Sequence, residues 1–297
     1  MVLVCGATGL LGGRVAERLA EAGASVRVLV RPDTDAAPLA ARGLEIARGD
    51  LRERSSLGDA VADCETVVTT VTAMSRLLER KEKTTITATD RRGTLNLVDA
   101  AERAGVRRFV FVSYAGLHEG QRFPLARAKC AVEERLAAST LRPVVLRPDA
   151  FQEVWLSKAV GLDPDGGKLT VYGRGENPVA YVAVDDVAAA TARLTLVDDP
   201  PGVLEFGGPE RLTRNEIVEL IRASRGDGLQ VKRVPRAALR IGSAFLSPFK
   251  QELSSVMGLA LHLDDTPARW DDRPLRALGV EPRPASRYLR ESLGATG

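Results

Sequence analysis

Short apolar runs alternate with amphipathic helical stretches along the first half of this chain. That alternation restricts the fold more than any other feature. Val2 to Cys5, Ser25 to Val30, Leu44 to Ala47, Thr66 to Val71, Arg108 to Val112 and Pro143 to Leu146 read as strands. Between them lie helical patterns: one that follows the opening glycines and ends at Gly23, then Ala36 to Arg42, Ser56 to Val61, Gly93 to Gly105 and Ala126 to Ser139. Strands joined by helices run parallel, with the crossover helices on both faces of the sheet. Strands covered on both faces are apolar throughout rather than alternating, which is the pattern here. The expectation is an α/β fold built on a doubly wound parallel sheet of the Rossmann type.

Further along, Tyr181 to Leu196 reads as a short strand followed by a helix, and Leu204 to Glu210 as another strand. Strands near 181–184 and 203–207 are expected to complete the sheet or its edge. Thr213 and Glu216 have the spacing of a capping box, opening a helix from Glu216 to Ala223. The remaining segments are short and rich in Pro and Gly, and predict a small cap interleaved with the last strands. With 297 residues, the chain divides into a sheet domain over 1–150 and a substrate or cap region over 151–297.

Composition removes several classes of function. Net charge is +3 and the charges are interspersed, so nucleic acid is not an expected partner. Two histidines and three scattered cysteines, Cys5, Cys64 and Cys130, give no metal site, disulfide framework or Ser-His-Asp triad. No apolar run approaches the ~18 residues of a membrane span. The first residues already read as a strand, so no signal peptide is expected, and the reading is cytoplasmic.

Gly6, Gly9 and Gly12 fall at even intervals between the first strand and the first helix. A helix N-terminus offers unpaired N–H groups and a positive dipole end. Glycines let the backbone turn tightly, approach a pyrophosphate and pack the helix on the sheet. Because the motif sits inside a complete βαβ unit, a bound dinucleotide is expected there, with Thr8, Leu10 and Leu11 completing the loop. At the end of the second strand stands Arg31, not the acidic residue that usually holds the ribose hydroxyls, so the expected cofactor is NADP(H). Asp33 and Asp35 follow slightly beyond.

The loop GATGLLG resembles that of the short-chain dehydrogenase/reductase superfamily. GDL at 49–51, TDRRGTLNLVDAAERAGVRRFVFVS, LRPDAFQEVW, YVAVDDVA and FGGPERLTRNE are together similar to its atypical NmrA-like branch, from Met1 to about Ala223. That branch holds isoflavone-reductase-like enzymes, NADPH sensors without turnover, and accessory proteins, so membership leaves function open. The resemblance implies that Asp50 and Leu51 flank the adenine, and that Thr69, Thr70 and Val71 line the ribose side. It also implies that Ser113 lies beside the nicotinamide, and that Pro148, Asp149, Ala150 and Phe151 offer backbone to the carboxamide. Core packing and helix capping are the plainer readings of Phe151 and Asp50.

Enzymes of the superfamily protonate substrate with a Tyr four residues before a Lys. Here Lys129 is present, but Leu125 occupies the tyrosine's position. Either Lys129 is itself the acid or base, as in the isoflavone-reductase-like group, with Ser113 and Tyr114 supplying hydroxyls, or it binds only the ribose. A surface lysine paired with Glu133 is the plainest alternative. His118 reads as a surface-loop residue near the site. The expected substrate is a small, mostly apolar carbonyl or enone, lined by Tyr114, Phe151 and Trp155, with Tyr172, Phe245 and Phe249 as further liners. The apolar stretch 239–263 can cover a ligand, pack a homodimer or lie on a membrane surface, and cap packing is the favoured reading. The competing function is a non-catalytic sensor or accessory protein.

Overall fold

The computed structural model describes residues 1–74, 84–226 and 228–294. Seven strands form the main sheet: β1 (Val2–Cys5), β2 (Val26–Val30), β3 (Glu45–Arg48), β4 (Thr66–Thr69), β5 (Arg108–Val112), β6 (Arg142–Pro148) and β9 (Val203–Phe206). Their order is β3-β2-β1-β4-β5-β6-β9, and every pairing is parallel. The order reverses between β1 and β4, which opens a crevice at the carboxyl ends of those two strands.

Burial explains the uniformly apolar strands. Val4, Val28, Val68, Val110 and Val144 share one core with Val15, Ala16 and Leu19 of helix α1 (Leu10–Glu21) and with Val187 and Leu194 of the Val184–Leu196 helix. Leu3, Val67, Phe109, Phe111 and Val145 face the other core, with Leu97 and Val98 of the Thr94–Arg103 helix and Val132 and Leu136 of the Pro124–Ala137 helix. Alternate residues therefore meet opposite helical layers, and neither face is left for polar side chains.

The structure departs from expectation after β6. Tyr181 to Val184 is not a strand. Val182 makes one bridge with Phe151, and the helix begins at Val184, which leaves no length for a ladder. Val203–Phe206 does join the sheet, at its edge beside β6. A second, three-stranded sheet combines β7 (Leu162–Asp163), β8 (Lys168–Tyr172) and β10 (Gln230–Val234). The stretch 239–263 is helical, as expected, in the helices Arg236–Phe245 and Gln251–Asp265, broken around Pro248. The Gln251–Asp265 helix packs as expected, with Ser254, Ser255, Val256, Ala260 and His262 buried, but Phe245 and Phe249, expected as pocket liners, are 72% and 77% exposed.

Candidate functional site

The glycine loop begins where β1 ends. Gly6 has φ +97°, a conformation that side chains rarely adopt. A Cβ on Gly12 would lie 2.3 Å from the Gly6 carbonyl oxygen and 2.5 Å from Thr70 Oγ1. Gly9 is extended at the N-cap of α1 with no side-chain cap, and the first turn holds no acidic residue. The first-turn N–H groups of Leu10, Leu11 and Gly12 thus have no partner within the helix, and the dipole end is uncompensated. Thr8 and Leu10 lie exposed at the rim and Leu11 is half-buried. Thr70 Oγ1 donates to the Cys5 carbonyl at 3.4 Å and joins the ends of β1 and β4. Thr69 is buried beside it and Val71 follows, its N–H directed to Thr69 Oγ1 at 3.4 Å.

At the ends of β2 and β3 the site is cationic. Arg31 is half-buried, and its Nε lies 4.0 Å from the exposed Asp33. Arg48 Nη1 donates to the carbonyls of Arg31 at 3.0 Å and Thr34 at 2.6 Å, so a second guanidinium pins the loop beyond β2. Sequence reasoning missed Arg48, because a strand-end arginine carries no motif. Asp50 lies close enough for the charge of Arg31 to act on it, but its carboxylate is held by Arg52 at 2.5–3.1 Å. That pairing is the main cause keeping the Asp50 carboxyl below the usual range. Leu51 is buried.

Lys129 is not a surface lysine. It is buried, its Nζ donates to the Val112 carbonyl at 2.7 Å, and it lies 4.6 Å from the centroid of the Phe111 ring. Burial lowers its pKa, opposed mainly by the charge of Asp90. Asp90, also missed, sits in a π-helical turn over Thr87–Gly93 and is 1% exposed. One carboxylate oxygen accepts the Ala73 N–H at 3.0 Å, while Oδ1 has no hydrogen-bond partner among the described residues. Burial raises its pKa, and Lys129 opposes the shift. Ser113 follows Val112; its N–H is tied to the Leu146 carbonyl at 2.7 Å, and its Oγ is buried without a partner among the described residues.

Tyr114 is committed elsewhere. Its hydroxyl donates to Gln121 Oε1 at 2.6 Å, and Gln121 Nε2 lies 3.1 Å from His262 Nδ1. His262 Nε2 lies 3.1 Å from the Ala115 carbonyl, which fits a proton on Nε2 and acceptance at Nδ1. Burial raises the Tyr114 pKa and lowers that of His262, so both stay neutral near pH 7. His118 is a loop residue whose Nδ1 accepts from Gly120 N–H at 3.1 Å. Leu125 is buried with Phe123 and Leu117.

The segment after β6 is largely consumed by the fold. Pro148 O accepts from Ala115, Asp149 N–H donates to Phe206 O, and Ala150 O accepts from Val182. The Asp149 carboxylate accepts from Ala150 N–H at 2.7 Å and Ala180 N–H at 2.9 Å. Phe151 packs on the sheet core, whereas Trp155 joins the cluster around β8. The expected substrate residues Tyr114, Phe151 and Trp155 thus border three separate apolar clusters. Trp155 and Tyr172 line a cavity of about 30 Å³, room for one water rather than a substrate.

A family model described as NAD(P)H-binding matches residues 6–198. The chain belongs to this NAD(P)H-binding family, and the glycine cradle and orphaned Ser113 hydroxyl fit such a cofactor. Among curated relatives, the photosystem II assembly factor Ycf39 of Synechocystis is 29% identical over 251 residues, 84% of this chain and 75% of that protein. The (4-alkanoyl-5-oxo-2,5-dihydrofuran-3-yl)methyl phosphate reductase of Streptomyces griseus is 30% identical over 219 residues, 73% of this chain and 71% of that protein. The NADPH-dependent quinone oxidoreductase QOR2 of Escherichia coli, solved with NADPH, shares the fold at TM-score 0.75 and 20% identity, covering 98% of this chain and 99% of that one.

Proposed function

We propose that this protein is an NADP(H)-dependent reductase of the atypical short-chain type, acting on a small, mostly apolar carbonyl or enone. The observation that carries the reading is a buried Lys129 held on the Val112 carbonyl at the end of β5, with the next residue, Ser113, keeping a buried hydroxyl that has no partner among the described residues. A buried hydroxyl without a partner is costly, and a ligand oxygen would satisfy it. When bound, the nicotinamide supplies hydride chemistry. The α1 N-terminus holds the pyrophosphate, and Arg31 with Arg48 favours the extra phosphate of NADP(H). Ser113 donates to the substrate oxygen. Lys129, with its proton held against burial by Asp90, is the proton source in place of the absent tyrosine. The Tyr114 hydroxyl is committed as hydrogen-bond donor to Gln121 and serves to orient the loop over the site. Residues 1–150 carry the cofactor and 151–297 shape the substrate side.

Lys129→Ala tests the reading. Turnover of quinone, enone and azo acceptors is expected to fall at least a hundredfold, with NADPH affinity within about fivefold of the parent. A second reading is supported by the buried Leu125 at the tyrosine position and by the similarity to an assembly factor. There the protein holds NADP(H) without turnover and serves a partner protein. Tight NADPH binding with no oxidation by any acceptor in the panel would establish that reading and overturn the first.

A further inference from the structure

Among the described residues the three most exposed large apolar side chains are neighbours: Ile241 at 67%, Phe245 at 72% and Phe249 at 77%. They stand four residues apart, and Ala237, Ala244 and Pro248, also exposed, continue the same stripe. The rings of Phe245 and Phe249 are 6.5 Å apart. The helix Arg236–Phe245 is held from its other side. Leu239 is fully buried, Gly242 lies against Met257, and Ser254 Oγ donates to the Ser243 carbonyl at 2.5 Å. The apolar stripe is therefore presented outward by a helix already anchored to the molecule.

Cations outnumber carboxylates around the stripe, with Glu252 just beyond it in sequence and Asp264 and Asp265 paired with Arg236. Lys232, Arg233, Arg236, Arg240 and Lys250 all lie between 229 and 251, and that stretch contains no Asp or Glu. Arg236 is paired with Asp264 and Arg233 with Asn215, whereas Lys232, Arg240 and Lys250 are exposed. Aromatic side chains flanked by cations on a short amphipathic helix form a surface suited to an anionic bilayer interface. Ten residues are far too few to span one. A second copy of the chain fits less well. Even at ~200 Å² for each ring, the stripe falls short of the ~800 Å² that each partner contributes to a stable dimer.

We infer that the Arg236–Phe245 helix and the turn through Lys250 dock on an anionic lipid surface, with Ile241, Phe245 and Phe249 entering the interface and Arg240 and Lys250 facing the headgroups. The full chain is sedimented with vesicles of phosphatidylcholine containing phosphatidylglycerol and with vesicles of phosphatidylcholine alone. Binding is expected only to the first, weakening as salt rises. The double variant Phe245→Ser with Phe249→Ser is expected to lose at least tenfold in partitioning, and Arg240→Glu with Lys250→Glu to lose the salt dependence. Leu220→Ser, an exposed leucine elsewhere, should bind as the parent does. All substituted side chains are exposed, so unchanged unfolding midpoints verify that the variants fold. Equal binding to both vesicle types overturns the proposal, as does absence of binding to either. A concentration-dependent dimer that the double serine variant dissolves, without vesicle binding, would assign the stripe to a second copy instead.

Discussion

Gly12 has less freedom than any other residue of the loop. The 2.3 Å and 2.5 Å approaches of a Cβ to the Gly6 carbonyl and Thr70 Oγ1 leave no direction in which a methyl group can go, because one neighbour is backbone. Gly12→Ala is expected to displace α1 from the crevice and abolish NADPH binding in a fluorescence titration. Gly58→Ala, where a Cβ meets nothing within 4 Å, should leave binding unchanged. Arg31→Ala should weaken NADPH by about tenfold to a hundredfold and leave NADH nearly unaffected, since one charge-assisted contact to phosphate is worth ~1.5–3 kcal/mol. Equal losses for both would remove Arg31 from its role. Asp90 gives a third test. Its charge favours the protonated form of Lys129, so Asp90→Asn should move the alkaline limb of the kcat profile to lower pH. A merely structural Asp90 would change stability and leave that limb in place. Of the candidate site, Gly12 and Lys129 were proposed from motifs with fixed spacing and Arg31 from its place at the end of the second strand. Asp90, Arg48, Gln121 and His262 were not, because distant segments bring them to the site.

Helices and strands divide along the same line. The Thr213 box is fully local and forms as read: Thr213 Oγ1 accepts from Glu216 N–H at 3.1 Å, and the Glu216 carboxylate accepts from Thr213 N–H at 2.8 Å. Thr213→Ala is expected to cost about 1 kcal/mol in urea unfolding. Strands β1, β2, β4, β5 and β6 were legible from composition, since double-sided burial makes the centre of each an apolar run, whereas β3, a half-exposed edge strand reading EIAR, was legible from the alternation of elements. Strands β7, β8 and β10 were not. The ladder between β8 and β10 joins Lys168–Tyr172 to Gln230–Val234, and β10 has no buried residue and carries two charges, Lys232 and Arg233, in five residues, so neither period nor hydrophobicity marks it. The π-helical turn over Thr87–Gly93 likewise has no sequence signature, yet it carries Asp90 to Lys129. The apolar 239–263 stretch shows the opposite failure. Its pattern gave the helices correctly, but hydrophobic character alone does not say which face the tertiary fold leaves outside.

Two buried carboxylates join distant parts of the molecule and make its stability depend on pH. Asp149, at the end of β6, accepts the Ala180 N–H, and Asp186, in the Val184–Leu196 helix, accepts the Arg283 N–H at 2.8 Å. Burial is the leading cause that raises both from 3.8 to about 6. A carboxyl raised in the folded state binds more protons there than in the unfolded chain. Its contribution is therefore complete below about pH 4 and is lost as pH rises through about 6. For Asp149, which is buried throughout, the shift corresponds to roughly 3 kcal/mol lost across that window. His262 acts in the other direction: burial lowers its pKa, so its contribution grows as pH rises toward its usual 6.5. The informative quantity is therefore the difference between parent and Asp149→Asn, which shares every other group. The variant should be less stable overall by about 1–3 kcal/mol, because its amide nitrogen cannot accept a backbone N–H. Its unfolding free energy should also decline less between about pH 4 and 6 than the parent's. Urea unfolding at a series of pH values gives both quantities. Parallel profiles for parent and variant would mean that Asp149 titrates normally, and that the joint between β6 and the 180 segment is held by hydrogen bonds to an ordinary carboxylate.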